Sequence, residues 1–166
     1  MPRCDALPAA LIWSPALRGE PMRARSTWLS KGEHVSVQKP TVLIVEDEIL
    51  IRYVMGEGLR DEGFDVIEAS GADEALLVMA SGPQVDIVLT DIRMPGSIDG
   101  LGLAAAVKDI HPSLPIIVLS SHLPSEPVCR ADRFLQKPVL FLTLLDTINE
   151  LIEARWKIQK ESGSTS

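Results

Sequence analysis

The sequence predicts an α/β domain: an open, doubly wound sheet of five parallel strands with helices on both faces. Two observations predict it. Short apolar runs alternate along the chain with stretches whose apolar residues recur at helical spacing. Three of those runs are unbroken and two are interrupted by charge. That is the pattern of central strands covered on both faces and of edge strands that are not. Right-handed crossovers then favour the strand order 2-1-3-4-5.

The first strand is Thr41-Val42-Leu43-Ile44-Val45. Ile51, Val54, Met55 and Leu59 follow at helical spacing, and Gly63 ends that helix. Phe64–Glu68 reads as the second strand, with Asp65 and Glu68 marking it as an edge. Ala72, Ala75, Leu76 and Met79 mark the second helix, closed by Gly82-Pro83. The third strand is 86–90. Asp99 then caps a helix carrying Leu103, Val107 and Ile110, which stops before Pro112. Strand four covers 115–120, and strand five covers 133–136, an edge with Arg133 and Gln136. Pro138 is placed in the first turn of a last helix with the stripe Phe141, Leu144, Leu145, Ile148 and Ile152. Residues 1–39 lack a sustained period and read as disordered or loosely attached. The domain spans 40–158, and residues 159–166 read as a disordered tail.

Four strand ends carry chemistry. Strand one runs into Glu46-Asp47-Glu48, strand three into Asp91, strand four into Ser120-Ser121 and strand five into Lys137-Pro138. In this topology all four open onto one sheet edge, where such folds bind ligands. Each feature alone has an ordinary structural reading. Acids suit a helix N-terminus, serines cap loops, and a lysine before a helix-starting proline is unremarkable in composition. Jointly they describe a magnesium and phosphoryl site. Glu46, Asp47 and Asp91 offer oxygen ligands, and like charges packed this closely need a cation between them.

Bulk properties agree. A chain of 166 residues suits one domain. Its net charge of −7 is uneven: residues 1–39 carry +3 and residues 40–158 carry −10. So acidic a body repels nucleic-acid phosphates, and no run is long and apolar enough for a membrane span. Cys4 and Cys129 have neither metal-ligand nor disulfide spacing, which suits a reducing, cytoplasmic setting.

The segments Val42–Glu48, Leu89–Gly96, Ile116–Ser121 and Phe134–Pro138 together resemble the receiver domain of two-component response regulators, over about residues 40–158. The resemblance implies the flavodoxin-like, CheY-like arrangement of that sheet. It implies that Asp91 is the phospho-acceptor and that Glu46 and Asp47 hold Mg2+ with it. Ser120 would be the switch hydroxyl, Phe134 the switch aromatic, and Lys137 the lysine that pairs with a phosphoryl oxygen. A cis peptide at Lys137-Pro138 is implied too. The implied partners are a histidine kinase or phosphotransfer protein and a downstream protein of unknown identity. No turnover is expected beyond magnesium-dependent self-phosphorylation and self-dephosphorylation.

Two departures stand out. The turn Met94–Gly100 is one residue longer than is usual in the family. Only 17 positions separate Ser120 from Lys137, and Pro124 and Pro127 lie between them. One helical turn at most fits there, so a reduced fourth helix is expected, as in a group of stand-alone alphaproteobacterial receivers. About ten residues follow the last helix, too few for a DNA-binding module, so signalling through protein contacts is expected. A phosphate sink or shuttle is the alternative. An aspartate-nucleophile phosphatase is disfavoured, because Arg93 stands where a second acid would serve as general acid. A flavodoxin-like cofactor binder is disfavoured by the lack of a glycine-rich loop after strand one.

Overall fold

The computed structural model describes residues 39–121 and 130–163. The strands are β1 (Thr41–Val45), β2 (Asp65–Ala69), β3 (Ile87–Asp91), β4 (Ile116–Ser120) and β5 (Arg133–Gln136). The helices are α1 (Ile49–Asp61), α2 (Ala72–Ala80), α3 (Gly100–Ile110) and α4 (Phe141–Gly163). All strand pairings are parallel, in the order β2-β1-β3-β4-β5 that the sequence predicts. The segment expected to hold the reduced fourth helix, and residues 1–38 of the N-terminal extension, lie outside the described residues.

Alternation along the strands builds two cores. Leu43, Val45, Val88, Ile116 and Val118 face α2 and α3, where Ala75, Leu103 and Val107 meet them. Val42, Ile44, Ile87, Leu89, Ile117 and Leu119 face the other way, onto Leu59 of α1 and Leu144, Ile148 and Ile152 of α4. β1, β3 and β4 are unbroken apolar runs because both of their faces are covered. Gly63 closes α1 at φ 93°, a left-handed conformation that glycine adopts without a Cβ clash. Asp99 caps α3, its Oδ1 accepting from the Gly102 amide at 2.8 Å.

Several boundaries differ from the sequence reading: β3 (Ile87–Asp91) and β4 (Ile116–Ser120) each begin one residue later than expected. β2 lies one residue later than expected, because Ala69 pairs with Val45 and its carbonyl accepts from the Glu46 amide at 3.1 Å. Pro138 is not in the first turn of the last helix. The Lys137 amide still donates to the Ser120 carbonyl at 2.8 Å, so the chain follows β4 through residue 137 and needs Pro138–Leu140 to turn back before α4 begins. The Lys137-Pro138 bond is cis, as expected. Residues 159–163, expected to be a disordered tail, are instead helical, since α4 continues to Gly163. Gln159, Lys160 and Glu161 are good helix formers, and each residue added to an existing helix gains a hydrogen bond without a new nucleus.

Arg155 anchors the far half of α4 to the opposite edge of the sheet. Its Nη1 donates to the carbonyls of Val85 (3.1 Å) and Asp86 (2.9 Å). The Asp86 carboxylate accepts in turn from the Thr41 amide at 2.9 Å. The site edge is thereby left to the acids, the lysine and the serine.

Candidate functional site

The ends of β1, β3 and β5 converge on one lysine. Lys137 Nζ donates to Asp91 Oδ2 at 2.7 Å and to Glu46 Oε2 at 2.8 Å. Glu46 continues the inward face of β1 and is buried, whereas Asp47 points outward and is exposed, as adjacent residues leaving a strand must. Glu46 Oε1 also accepts from the Glu48 amide at 3.4 Å. Asp91 Oδ1 accepts from the amides of Ile92 (2.6 Å) and Arg93 (3.4 Å), so backbone fixes one carboxylate oxygen while Lys137 holds the other.

Burial alone lowers the pKa of Lys137. The hydrogen bonds to Asp91 and Glu46, with their charges, outweigh it and leave the ammonium above the usual lysine range. Glu46, Asp47 and Asp91 each place a carboxylate oxygen within 4.8 Å of the others. Three formal negative charges meet one positive, a net −2 that a divalent cation would balance. All three donors are hard oxygens, the set that magnesium takes alongside its own waters. The residues fit that ion.

Ser120 ends β4, buried, on the same strand face as Ile116 and Val118. Phe134 pairs with Val118 and packs half-buried against that same core, so the serine and the aromatic lie along one face. Of the site residues named from the sequence, Glu46, Asp47, Asp91, Ser120 and Lys137 stand at or just past strand ends, and Phe134 lies within β5. Arg93 is exposed next to Asp91.

Sequence reading missed three supports of the site. Arg52 Nη1 donates to the Glu46 carbonyl. Gly100 packs so close to Asp91 that a Cβ there would stand 1.9 Å from its carbonyl oxygen. Ser97, in the turn Met94–Gly100, donates from its hydroxyl to Asp73 Oδ1 and from its amide to Asp73 Oδ2 at 3.1 Å, which keeps that carboxyl below its usual pKa. The Asp99-Gly100 pair at a helix start was a visible signal for the second. The other two depend on how side chains of α1 and α2 meet the backbone and loop beside them.

The model of the response regulator receiver domain matches residues 42–149. The chain belongs to that family. A response regulator described as NtrX-like from Rickettsia felis is 42% identical over 82 residues, 49% of this chain and 17% of that protein. The DNA-binding transcriptional regulator NtrC of Salmonella typhimurium is 37% identical over 86 residues, 52% of this chain and 18% of that protein. The match thus spans under a fifth of the length of either relative. Among solved structures, the response regulator protein TrrA of Thermotoga maritima, in complex with Mg(2+)-BeF, is 32% identical with a TM-score of 0.63. That comparison covers 68% of this chain and 98% of TrrA. No helix among the described residues is long and apolar enough to cross a membrane.

Proposed function

We infer that this receiver accepts a phosphoryl group on Asp91 from the phosphohistidine of a histidine kinase or phosphotransfer protein, and that it signals by changing its protein contacts. The bridge from Lys137 to Asp91 and Glu46, at 2.7 and 2.8 Å, carries the reading. A carboxylate oxygen of Asp91 attacks phosphorus in line, the P–N bond breaks, and the imidazole leaves with the electron pair. Lys137 has three N–H donors, so it can keep Glu46 while turning another toward a phosphoryl oxygen. Magnesium held by Glu46, Asp47 and Asp91 would supply charge neutralisation on the transferred oxygens. The product, an acyl phosphate, is open to water, which gives slow self-dephosphorylation and no other turnover.

Ser120 and Phe134 suit the switch role because they share one face beside the site. A serine drawn toward the phosphoryl group vacates space that the aromatic can enter, a two-state change needing only a few kcal/mol of differential contact. The donor has an apolar landing place. Ile49, Leu50, Tyr53 and Val54 are exposed on α1 directly after the acids, and Leu140 is exposed just past Lys137.

The test is labelling by acetyl phosphate or a phosphorylated kinase, with and without magnesium. Label should require the divalent ion and vanish in Asp91→Asn. Stoichiometric label retained in that variant refutes the assignment. A partner pulled down only by the phosphorylated form supports signalling by contact; rapid draining of phosphate with no retained partner supports the sink.

A further inference from the structure

Arg52 lies in the first turns of α1, and its side chain folds back beneath the end of β1. Its Nη1 donates to the backbone carbonyl of Glu46, and its Nε stands 3.6 Å from Glu68 Oε2 on β2. The side chain is only 14% exposed. Glu68 is held independently by Arg60 Nη2 at 2.7 Å and pairs in register with Ile44.

The Glu46 carbonyl belongs to the peptide that joins Glu46 to Asp47. The ladders of β1 with β2 and β3 both end at Val45, so this carbonyl lies one residue beyond the last strand partner. The Glu46 amide is already pinned to the Ala69 carbonyl. Arg52 therefore fixes the one remaining peptide plane, the plane that sets how the two acids diverge. A guanidinium suits this task, because its planar fork can reach a carbonyl and a carboxylate at once.

We propose that Arg52 is a positioning residue that sets the mutual orientation of the Glu46 and Asp47 carboxylates and thereby the affinity of the cluster for a divalent cation. This rests on the reading of Glu46, Asp47 and Asp91 as cation ligands. Arg52 acts through the peptide and touches neither the ion nor the phosphoryl group.

Two roles for Arg52 predict opposite signs. As a nearby positive charge it would repel a cation, so its removal would tighten binding. As a positioning group its removal weakens binding, as loss of a ligand-orienting partner typically does by about tenfold or more.

The experiment is calorimetric titration of the full chain with Mg2+, comparing wild type, Arg52→Met, Arg52→Lys and Asp47→Asn, with a urea midpoint for each. We expect Kd to rise about tenfold in both Arg52 variants. Lysine keeps the charge but its single ammonium lacks the fork. An unchanged or lower Kd in Arg52→Met overturns the proposal, as does wild-type affinity in Arg52→Lys. A lowered urea midpoint with unchanged Kd also overturns it, since Arg52 would then serve the fold alone. If Arg52→Met fails to fold, Arg52→Lys carries the comparison. Wild type that binds no Mg2+, or Asp47→Asn that binds as well as wild type, sinks the cation reading and this inference with it.

Discussion

Replacing Lys137 with methionine keeps the aliphatic stem and removes the cation that bridges Glu46 and Asp91. The lysine side chain is 22% exposed, Glu46 3% and Asp91 16%, so the bridge lies between a surface pair and a buried one. Exposed pairs contribute about 0.2–1 kcal/mol, and removing one partner of a buried pair costs about 3–5 kcal/mol. The carboxylates left behind stand within 4.8 Å of each other. At an effective dielectric near 20, that repulsion is about 3 kcal/mol. Lys137→Met should thus lose about 2–3 kcal/mol in the absence of divalent ions. For urea slopes of about 1–3 kcal/mol per molar, the midpoint falls by roughly 0.7–3 M. Added magnesium should restore more stability to the variant than it adds to wild type, because the ion replaces the missing charge. The assay is urea unfolding at neutral pH with chelator and then with magnesium. Equal midpoints for variant and wild type under chelator would refute the bridge as a source of stability. Equal gains on adding magnesium would refute the shared charge balance.

The same bridge should show in alkali. The folded-state pKa of Lys137 is raised above its ordinary 10.5, so its stabilisation is complete below that value and is lost as pH climbs through the folded value. Stability measured against pH should fall there in wild type and fall less in Lys137→Met. Gly100→Ala forces a Cβ onto the Asp91 carbonyl, and backbone must move. A loss of about 1–3 kcal/mol and slower labelling of Asp91 are expected, and full labelling at wild-type stability would contradict the packing argument. Arg155→Met removes two side-chain hydrogen bonds to backbone carbonyls at the far sheet edge. About 1–3 kcal/mol should be lost, with faster hydrogen exchange along residues 155–163 and little change beside Asp91.

The fold was legible because burial leaves strands little choice. Val42–Val45, Ile87–Leu89 and Ile116–Leu119 must be apolar on both faces, whereas Asp65 and Arg133 are tolerated only at edges. The acids, the serine and the lysine were legible because a parallel sheet carries all its strand ends to one side. Element ends were less so. Nothing before Gly163 tells α4 to stop, and Pro138 marks a turn here rather than a helix start. The supports were hidden. Arg52 occupies an ordinary polar position on an amphipathic helix, and only its fold-back to Glu46 gives it meaning. Ser97 and Asp73 lie 24 residues apart, with no pattern linking a loop to the helix turn it meets.

The central claim is that Asp91 carries the phosphoryl group. Its most direct measurement is borohydride reduction of the labelled chain, which converts an aspartyl phosphate to homoserine, followed by peptide mass mapping. Homoserine is predicted at position 91, in amounts that follow the label and disappear when magnesium is withheld. Homoserine at position 47 or at another carboxylate, or full label with no reduced aspartate at all, would contradict the account.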